Sequence, residues 1–344
     1  MTKRATIADV AERAGVSRSA VSKVLRNAYG LSEQMRTCVE QAMAELNYRP
    51  QMAARGLRGR TYTLGVVMPD MRNPFFPDIL DGVWCALEGT QYQPLLAIRH
   101  CAHENEQVLI ETLLDRKIDG FVLIAPMLHR DDLWRLATSV PIVILGRHES
   151  GGDFDTVNND DEQGAFLAVT HLIEQGHRRI AFFSFEPPED SAVNPVVYRQ
   201  RGYIRAMQAK GLDNFLQIVK TQSGANDDED RRLACSLLTA TPRPTAVFTW
   251  HDTAAINVMA EAQALGLRVP QDLAVVGYDN FRVSALPQLQ LTSVDQDALT
   301  LGTTAAELLI ERIEGRTEPV HFTTAPTLVV RQSSQSTQSA PPRP

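Results

Sequence analysis

From Thr61 onward, short apolar runs alternate with stretches of helical periodicity, and few folds accept that alternation. The runs Leu64–Met68, Leu95–Ile98, Phe121–Ile124 and Ile142–Leu145 are almost free of polar side chains, as strands covered on both faces are. Between them, residues 78–88, 105–116 and 131–137 carry apolar residues at helical spacing. Parallel strands need a connection long enough to hold a helix, so the pattern predicts an α/β body with parallel sheets. A second, similar set follows: helix over 162–175, strand Ile180–Phe183, helix over 198–209, a strand near 218–219, helix over 228–238, strand Ala246–Phe248, helix over 253–265 and strand Ala274–Val276. A last helix over 297–314 and a strand near 328–330 close the pattern.

A chain of 344 residues has room for two or three domains, each with its own core. Residues 1–60 hold 11 Lys/Arg against 5 Asp/Glu, although the whole chain is net −7, so a basic head precedes a strongly acidic body. That asymmetry points to a polyanionic partner at the head alone. Cys38, Cys85, Cys101 and Cys235 are scattered, which argues against a zinc site or disulfide framework and fits a reducing compartment. The start has no apolar signal core and no run long enough to span a bilayer. A cytoplasmic protein with no membrane partner is therefore expected, associated with the nucleoid when bound to DNA. Glycine-rich phosphate loops and the Gly-x-Ser-x-Gly elbow are missing. His100-Cys101-x-His103 reads as a surface loop rather than a metal site, and Asp227–Asp230 as a solvated helix start. No catalytic residue, metal or cofactor is expected, and the chain is not read as an enzyme.

Within the head, Thr6 can cap a helix with Asp9 completing a capping-box pair, and Ile7, Val10, Ala11 and Ala14 fall on one face. Gly15 permits a sharp exit. Ser17 caps a second helix, in which Ala20, Val21, Val24 and Leu25 turn inward, leaving Arg18, Ser19, Ser22, Lys23 and Arg26 outside. A third helix, capped by Ser32, buries Met35, Val39, Ala42 and Leu46. A short polar, basic face after a tight turn is what a helix needs to lie in a major groove.

In open α/β sheets, ligands bind beyond the carboxyl ends of the strands. The segments there are Asp70 and Asn73-Pro74-Phe75-Phe76, Arg147-His148, Asn159-Asp160-Asp161, Arg199, Trp250-His251-Asp252 and Tyr278-Asp279-Asn280. Aromatic rings offer flat faces to a sugar, and Arg, Asp and Asn can hydrogen-bond hydroxyls. Asp252 reads as a helix N-cap.

The stretch from Thr6 to Asn27 resembles the DNA-binding head of the lactose-repressor family of bacterial transcription regulators, and Asn47–Leu57 resembles its hinge helix, with Gln51 where Asn is usual. The likeness extends to about Arg331. It implies an all-α helix-turn-helix head joined to an α/β sensor, two parallel-sheet lobes linked by three crossovers as in periplasmic sugar-binding proteins. It divides the chain into a head over 1–48, a hinge over 49–60 and an effector-binding and dimerisation body over 61–331. The first lobe takes residues 61–160 and 295–319, the second 161–292 and 322–331. Residues 332–344, rich in Ser, Gln and Pro, are expected to be disordered.

Carried across residue by residue, the resemblance makes Arg18, Ser19 and Lys23 base-reading positions and Ser17 and Ser22 phosphate contacts, with Thr6, Asn27 and Arg55 also on the DNA. Leu57 becomes a minor-groove wedge. Asn73, Phe75, Arg147, Arg199, His251 and Asp279 match effector contacts, Trp250 beside them, with His251 departing from a usual Asn. The expected partners are double-stranded operator DNA, a small effector that is a sugar or derivative, and a second copy of the chain, since the terminus lacks the leucine heptads on which the family's tetramers rely. The expected function is repression of a sugar uptake or catabolic operon. The rivals are a sugar-binding protein without DNA activity and a purine-responsive, co-repressed regulator.

Overall fold

The computed structural model describes residues 5–25, 31–48, 60–99, 103–149, 151–187, 192–222 and 227–335. The chain divides into two units, Met1–Thr61 and Tyr62–Pro344.

The first unit contains α1 (Ile7–Ala14), α2 (Arg18–Leu25) and α3 (Glu33–Glu45). Thr6 closes the capping box expected of it: its amide donates to Asp9 Oδ2 at 2.7 Å, and its Oγ1 accepts from the Asp9 amide at 3.4 Å. Gly15 ends α1 in the left-handed region at φ 67°, where a side chain would strain the backbone. Ser17 Oγ accepts from the Ala20 amide at 3.2 Å and so caps α2. Val10, Ala11, Val21, Val24, Val39 and Ala42 form the buried core, with Met35 and Leu46 packed at its margin. The hinge over 49–59, with Gln51, Arg55 and Leu57, lies outside the described residues, as do Arg26 and Asn27.

The second unit holds two six-stranded sheets. The first consists of β1 (Thr63–Met68), β2 (Gln93–Ile98), β3 (Gly120–Ile124), β4 (Ile142–Leu145), β5 (Asp155–Asn159) and β11 (His321–Thr324), in the order β11-β5-β4-β3-β1-β2. The second consists of β6 (Ile180–Phe185), β7 (Gln217–Thr221), β8 (Ala246–Thr249), β9 (Ala274–Tyr278), β10 (Thr292–Asp295) and β12 (Thr327–Val329), in the order β12-β10-β9-β8-β6-β7. All neighbours are parallel except β10 and β12. Helices α4 (Phe75–Leu87) and α11 (Ala298–Glu314) cover one face of the first sheet, and α5 (His103–Asp115) and α6 (Arg130–Ser139) the other. In the second lobe, α7 (Asp161–Glu174) and α8 (Pro195–Ala209) face α9 (Asp227–Thr239) and α10 (Asp252–Ala264) across the sheet. Buried aliphatic and aromatic side chains on both faces explain why the strands read as unbroken apolar runs. The pair α4 and α11 crosses closely because Gly82 and Gly302 have no Cβ: one added at Gly82 would stand 2.2 Å from the Leu299 carbonyl oxygen.

Three boundaries differ from expectation. Residues 322–324 were expected in the second lobe, but β11 pairs with β5 in the first sheet, His321 opposite Thr156, so the last crossover falls after Thr324. The strand β5 itself, Asp-Thr-Val-Asn-Asn, has too many polar residues to read as a strand, yet all five are buried. Distant groups satisfy much of this polarity: Asp155 accepts from Arg316 Nη2 at 2.6 Å and the Val320 amide at 2.7 Å, while Asn158 Oδ1 has no partner among the described residues. Finally, the ordered chain passes Arg331. Gln332–Ser334 form a 3₁₀ turn in which Ser333 and Ser334 are buried, because Ser333 Oγ accepts from the Thr292 amide at 2.8 Å and donates to the Val275 carbonyl at 2.6 Å. The remainder of the expected disordered tail, 336–344, lies outside the described residues.

Candidate ligand cleft and nucleic-acid interface

In the first unit, Ser17, Arg18, Ser19 and Lys23 are exposed together at the start and along one side of α2, and Ser22 is half-buried. Ser17 and Ser19 share a hydroxyl–hydroxyl bond of 2.8 Å. Thr6 is occupied by its capping box. The helix N-terminus adds the partial positive charge of its unpaired amides to that of Arg18, so this face suits an anion.

In the second unit, a cavity of about 850 Å³ lies where the strand ends of both sheets meet. Its wall includes all seven side chains assigned by sequence to an effector: Asn73, Phe75, Arg147, Arg199, Trp250, His251 and Asp279. They do not all act alike.

Asp161, the first residue of α7, is the centre of the polar wall. It is 2% exposed and accepts from Arg199 Nε at 2.8 Å, with His148 Nε2 also at 2.8 Å. Arg199 Nη1 donates to the Trp250 carbonyl, and the guanidinium lies 3.7 Å over the Tyr278 ring. Burial alone would raise the Asp161 pKa, but Arg199 and then His148 hold it below the usual carboxylate range. Reciprocally, burial works against the charge on Arg199, and Asp161 raises its pKa above the ordinary value.

Asp279 follows β9 with φ 107°, a conformation that costs a non-glycine residue energy and concentrates at functional sites. Its carboxylate accepts from Gln296 Nε2 at 2.6 Å and Asn73 Nδ2 at 3.2 Å. Burial pushes its pKa up to about 7, against the opposing pull of Arg199. Asn73 belongs to the first lobe and Asp279 to the second, so their bond crosses the cleft. So do His148–Asp161 and the bond from Asn159 Nδ2 to the Tyr278 hydroxyl at 2.7 Å.

Arg147 is a strut rather than an open donor. Its Nε and Nη2 donate to Glu149 Oε2 at 3.1 and 2.9 Å, and Nη1 donates to the Pro126 and Leu128 carbonyls at 3.2 and 2.7 Å. His251, not Asp252, caps α10, its Nδ1 accepting from the Ala254 amide at 2.9 Å. Asp252 is instead fully buried, accepting from Ser284 and Ser293 hydroxyls at 2.5 and 2.6 Å; burial, with Asp279 nearby, pushes it up to about 8. On two residues that line the cavity, the Trp250 indole Nε1 and Asn158 Oδ1 are buried within the protein and have no hydrogen-bond partner among the described residues. Sequence reasoning passed over Asn158, Glu149 and Gln296 altogether. It placed Asp161 and Tyr278 at the cleft without seeing that they organise Arg199. Among the described residues no group of three His, Cys, Asp or Glu is placed to hold a metal, and no helix is long and apolar enough to cross a membrane. His100 and Cys101 lie outside the described residues.

A helix-turn-helix head with a cationic face, together with a two-lobed body built around an inter-lobe cleft, defines a ligand-binding DNA regulator. Residues 6–51 match the family model of bacterial regulatory proteins, lacI family, and residues 169–334 that of the periplasmic binding protein-like domain. The chain is 32% identical over 338 residues to the HTH-type transcriptional repressor PurR of Erwinia tasmaniensis, covering 96% of each chain. It is 33% identical to the ribose operon repressor of Haemophilus influenzae, covering 96% of this chain and 99% of that one. Among solved structures, a transcriptional regulator CelR–cellobiose complex superposes with a TM-score of 0.68 at 32% identity, covering 96% of this chain and all of that one. The chain belongs to the lacI family of bacterial regulatory proteins. Its relatives are transcriptional repressors, not enzymes, and it is a ligand-responsive regulator of transcription.

Proposed function

We propose that this chain represses a sugar uptake or catabolic operon in the cytoplasm, binding a palindromic operator as a homodimer and responding to a sugar in the inter-lobe cleft. One observation carries the reading. Seven side chains drawn from four strand-end segments and helix α8 border a single cavity, and that cavity is bridged by lobe-to-lobe hydrogen bonds at Asn73–Asp279 and His148–Asp161. A ligand that enters must join or replace those bridges, so cleft occupancy and lobe arrangement form one equilibrium. The ribose operon repressor and the cellobiose-bound regulator among its relatives favour a sugar.

At the DNA, Arg18 or Lys23 donates to guanine O6 and N7, with Ser19 beside them. Ser17 and Ser22 meet phosphates and set register; Thr6, Asn27 and Arg55 add backbone contacts, and Leu57 from each subunit opens the minor groove at the operator centre. Two recognition helices one helical turn apart then read the two half-sites. Exposed Trp84 on α4 and Leu95 and Leu96 on edge strand β2 supply apolar surface for self-association. The test is a gel shift of the full chain on the DNA upstream of its own gene. Binding is expected, and Arg18→Ala should weaken it by about 1–3 kcal/mol while relaxing specificity at one base pair. An unaltered shift with Arg18→Ala would remove that residue from the interface.

A further inference from the structure

Resting on the reading of the cleft as the effector site, we infer that Arg331 is a positioning residue of that site: it braces the Asp279-Asn280 corner and so holds the Asp279 carboxylate against the opposite lobe. The corner needs a brace. Both residues lie in the left-handed region, Asp279 at φ 107° and Asn280 at φ 50°, and neither is a glycine. Such backbone persists only where its surroundings over-determine it. The Asp279 amide is tied to the sheet, donating to the Val294 carbonyl at 2.8 Å. Its carboxylate is then left on the cleft wall, where Asn73 donates to it from the first lobe at 3.2 Å. A relaxation of the corner toward ordinary backbone would swing that carboxylate away from Asn73.

Asn280 is the residue through which the corner is held, and its amide and both side-chain polar atoms are engaged. The amide donates to Ser293 Oγ at 3.0 Å, Nδ2 donates to Asp295 Oδ2 at 2.9 Å, and Oδ1 accepts from Arg331 Nη2 at 2.7 Å. Ser293 and Asp295 belong to β10, the neighbour of β9 in the sheet. Arg331 arrives from the far end of the chain, just past β12, and supplies the third hold. Its Nη1 donates at the same time to the Leu291 carbonyl at 2.7 Å. A planar fork with fixed donors spans both acceptors, which a single ammonium on a flexible stem does not do as well. The arm is itself anchored at its base. The Arg331 amide donates to Thr292 Oγ1 at 2.8 Å, and Ser334 Oγ donates to the same oxygen at 2.7 Å. His171 Nε2, on α7, lies 2.8 Å from Ser334 Oγ, and Ser333 and Ser334 are buried. The C-terminal turn, none of whose residues lines the cavity, therefore bears on a carboxylate that does.

The experiment is hydrogen–deuterium exchange of the full chain and its variants, read by mass spectrometry without ligand or DNA. Arg331→Gln should speed exchange about tenfold at residues 279–280, the loss of one hydrogen bond from a charged donor. Exchange should also rise at Phe75 in the first lobe, whose amide donates to Asn73 Oδ1 at 3.1 Å and so reports whether Asp279 still holds Asn73. Strands β6 and β8, in the same sheet as the corner, should exchange as in the parent; a role confined to the stability of the second lobe would move them and leave Phe75 alone. Arg331→Lys should fall between, and it carries the test if Arg331→Gln fails to fold. Asn280→Gly accepts a left-handed corner and gives Arg331 no side chain to hold, so adding Arg331→Gln to it should leave Phe75 exchange where it was. The inference is overturned if Phe75 exchanges as in the parent in both Arg331 variants, if β6 and β8 speed up as much as residues 279–280, or if Arg331→Gln keeps its full effect in the Asn280→Gly background. The measurement needs neither effector nor operator, so those outcomes leave the regulator reading standing; failure of the parent chain to bind upstream DNA in a gel shift sinks that reading and leaves the brace intact.

Discussion

The cleft turns on a few side chains whose ionisation is set by burial. Asp161 and Arg199 are desolvated together, and removing one leaves the other charged and buried without its partner. Arg199→Ala should therefore cost about 3–5 kcal/mol of stability in chemical denaturation, as well as abolish the effector response in a gel shift. A variant as stable as the parent would mean that the pair is not buried in solution. Asp279 and Asp252 act in the opposite sense. Their carboxyl pKa values rise from 3.8 to about 7 and about 8. Between about 4 and those values the folded chain holds protons that the unfolded chain has released. Their contribution to stability is thus fully present at the acidic end and is lost as pH rises through the folded values. Melting temperatures measured across about pH 5 to 8 should show this term as a fall with rising pH, shallower in Asp279→Asn; an identical profile would show that Asp279 is ionised throughout. The residue types at this site were legible in the sequence: all seven assigned side chains line the cavity. Their states were not. Arg147 and Arg199 look alike as letters, yet one braces a loop against Glu149 and two carbonyls and the other stacks on Tyr278.

At the scale of elements, most of the strands and helices were legible because their signals are local. Thr6 with Asp9, Gly15 and Ser17 are adjacent in the chain to the backbone groups they cap, and the apolar strands announce their burial. The exceptions share one cause. Strands β5, β10 and β11 carry Thr, Asn, Ser and Asp, and they are strands because distant groups satisfy those side chains, as Arg316 and the Val320 amide do for Asp155. No local pattern contains that information. Helix pairing was equally hidden. Gly82 and Gly302 sit mid-helix, where glycine is locally unfavourable, and only the crossing of α4 and α11 explains them. Gly82→Ala should push the two helices apart and destabilise the body by about 1–3 kcal/mol, read as a lower denaturation midpoint. An unchanged midpoint would mean that the crossing relaxes freely.

For the whole molecule, the two lobes are joined by three crossovers, after Asn159, after Asp295 and after Thr324, and by polar bridges between strand-end loops. If a ligand in the cleft changes operator affinity by some factor, the operator must change ligand affinity by the same factor. Titrating a cleft ligand with and without operator DNA should return equal factors, and unequal ones would place the ligand elsewhere. Sequence alone determined the order and type of most elements, the basic head and its caps, and which loops gather at the strand ends, since periodicity, capping and charge are written within a few residues of each other. Tertiary structure decided which sheet the polar strands join, that Ser333 and Ser334 are buried, and that Arg147 and Arg199 are each paired with a buried carboxylate. Those outcomes depend on pairing and desolvation between residues as far apart as Asn73 and Asp279, 206 positions along the chain, and such distances are closed only when the lobes form.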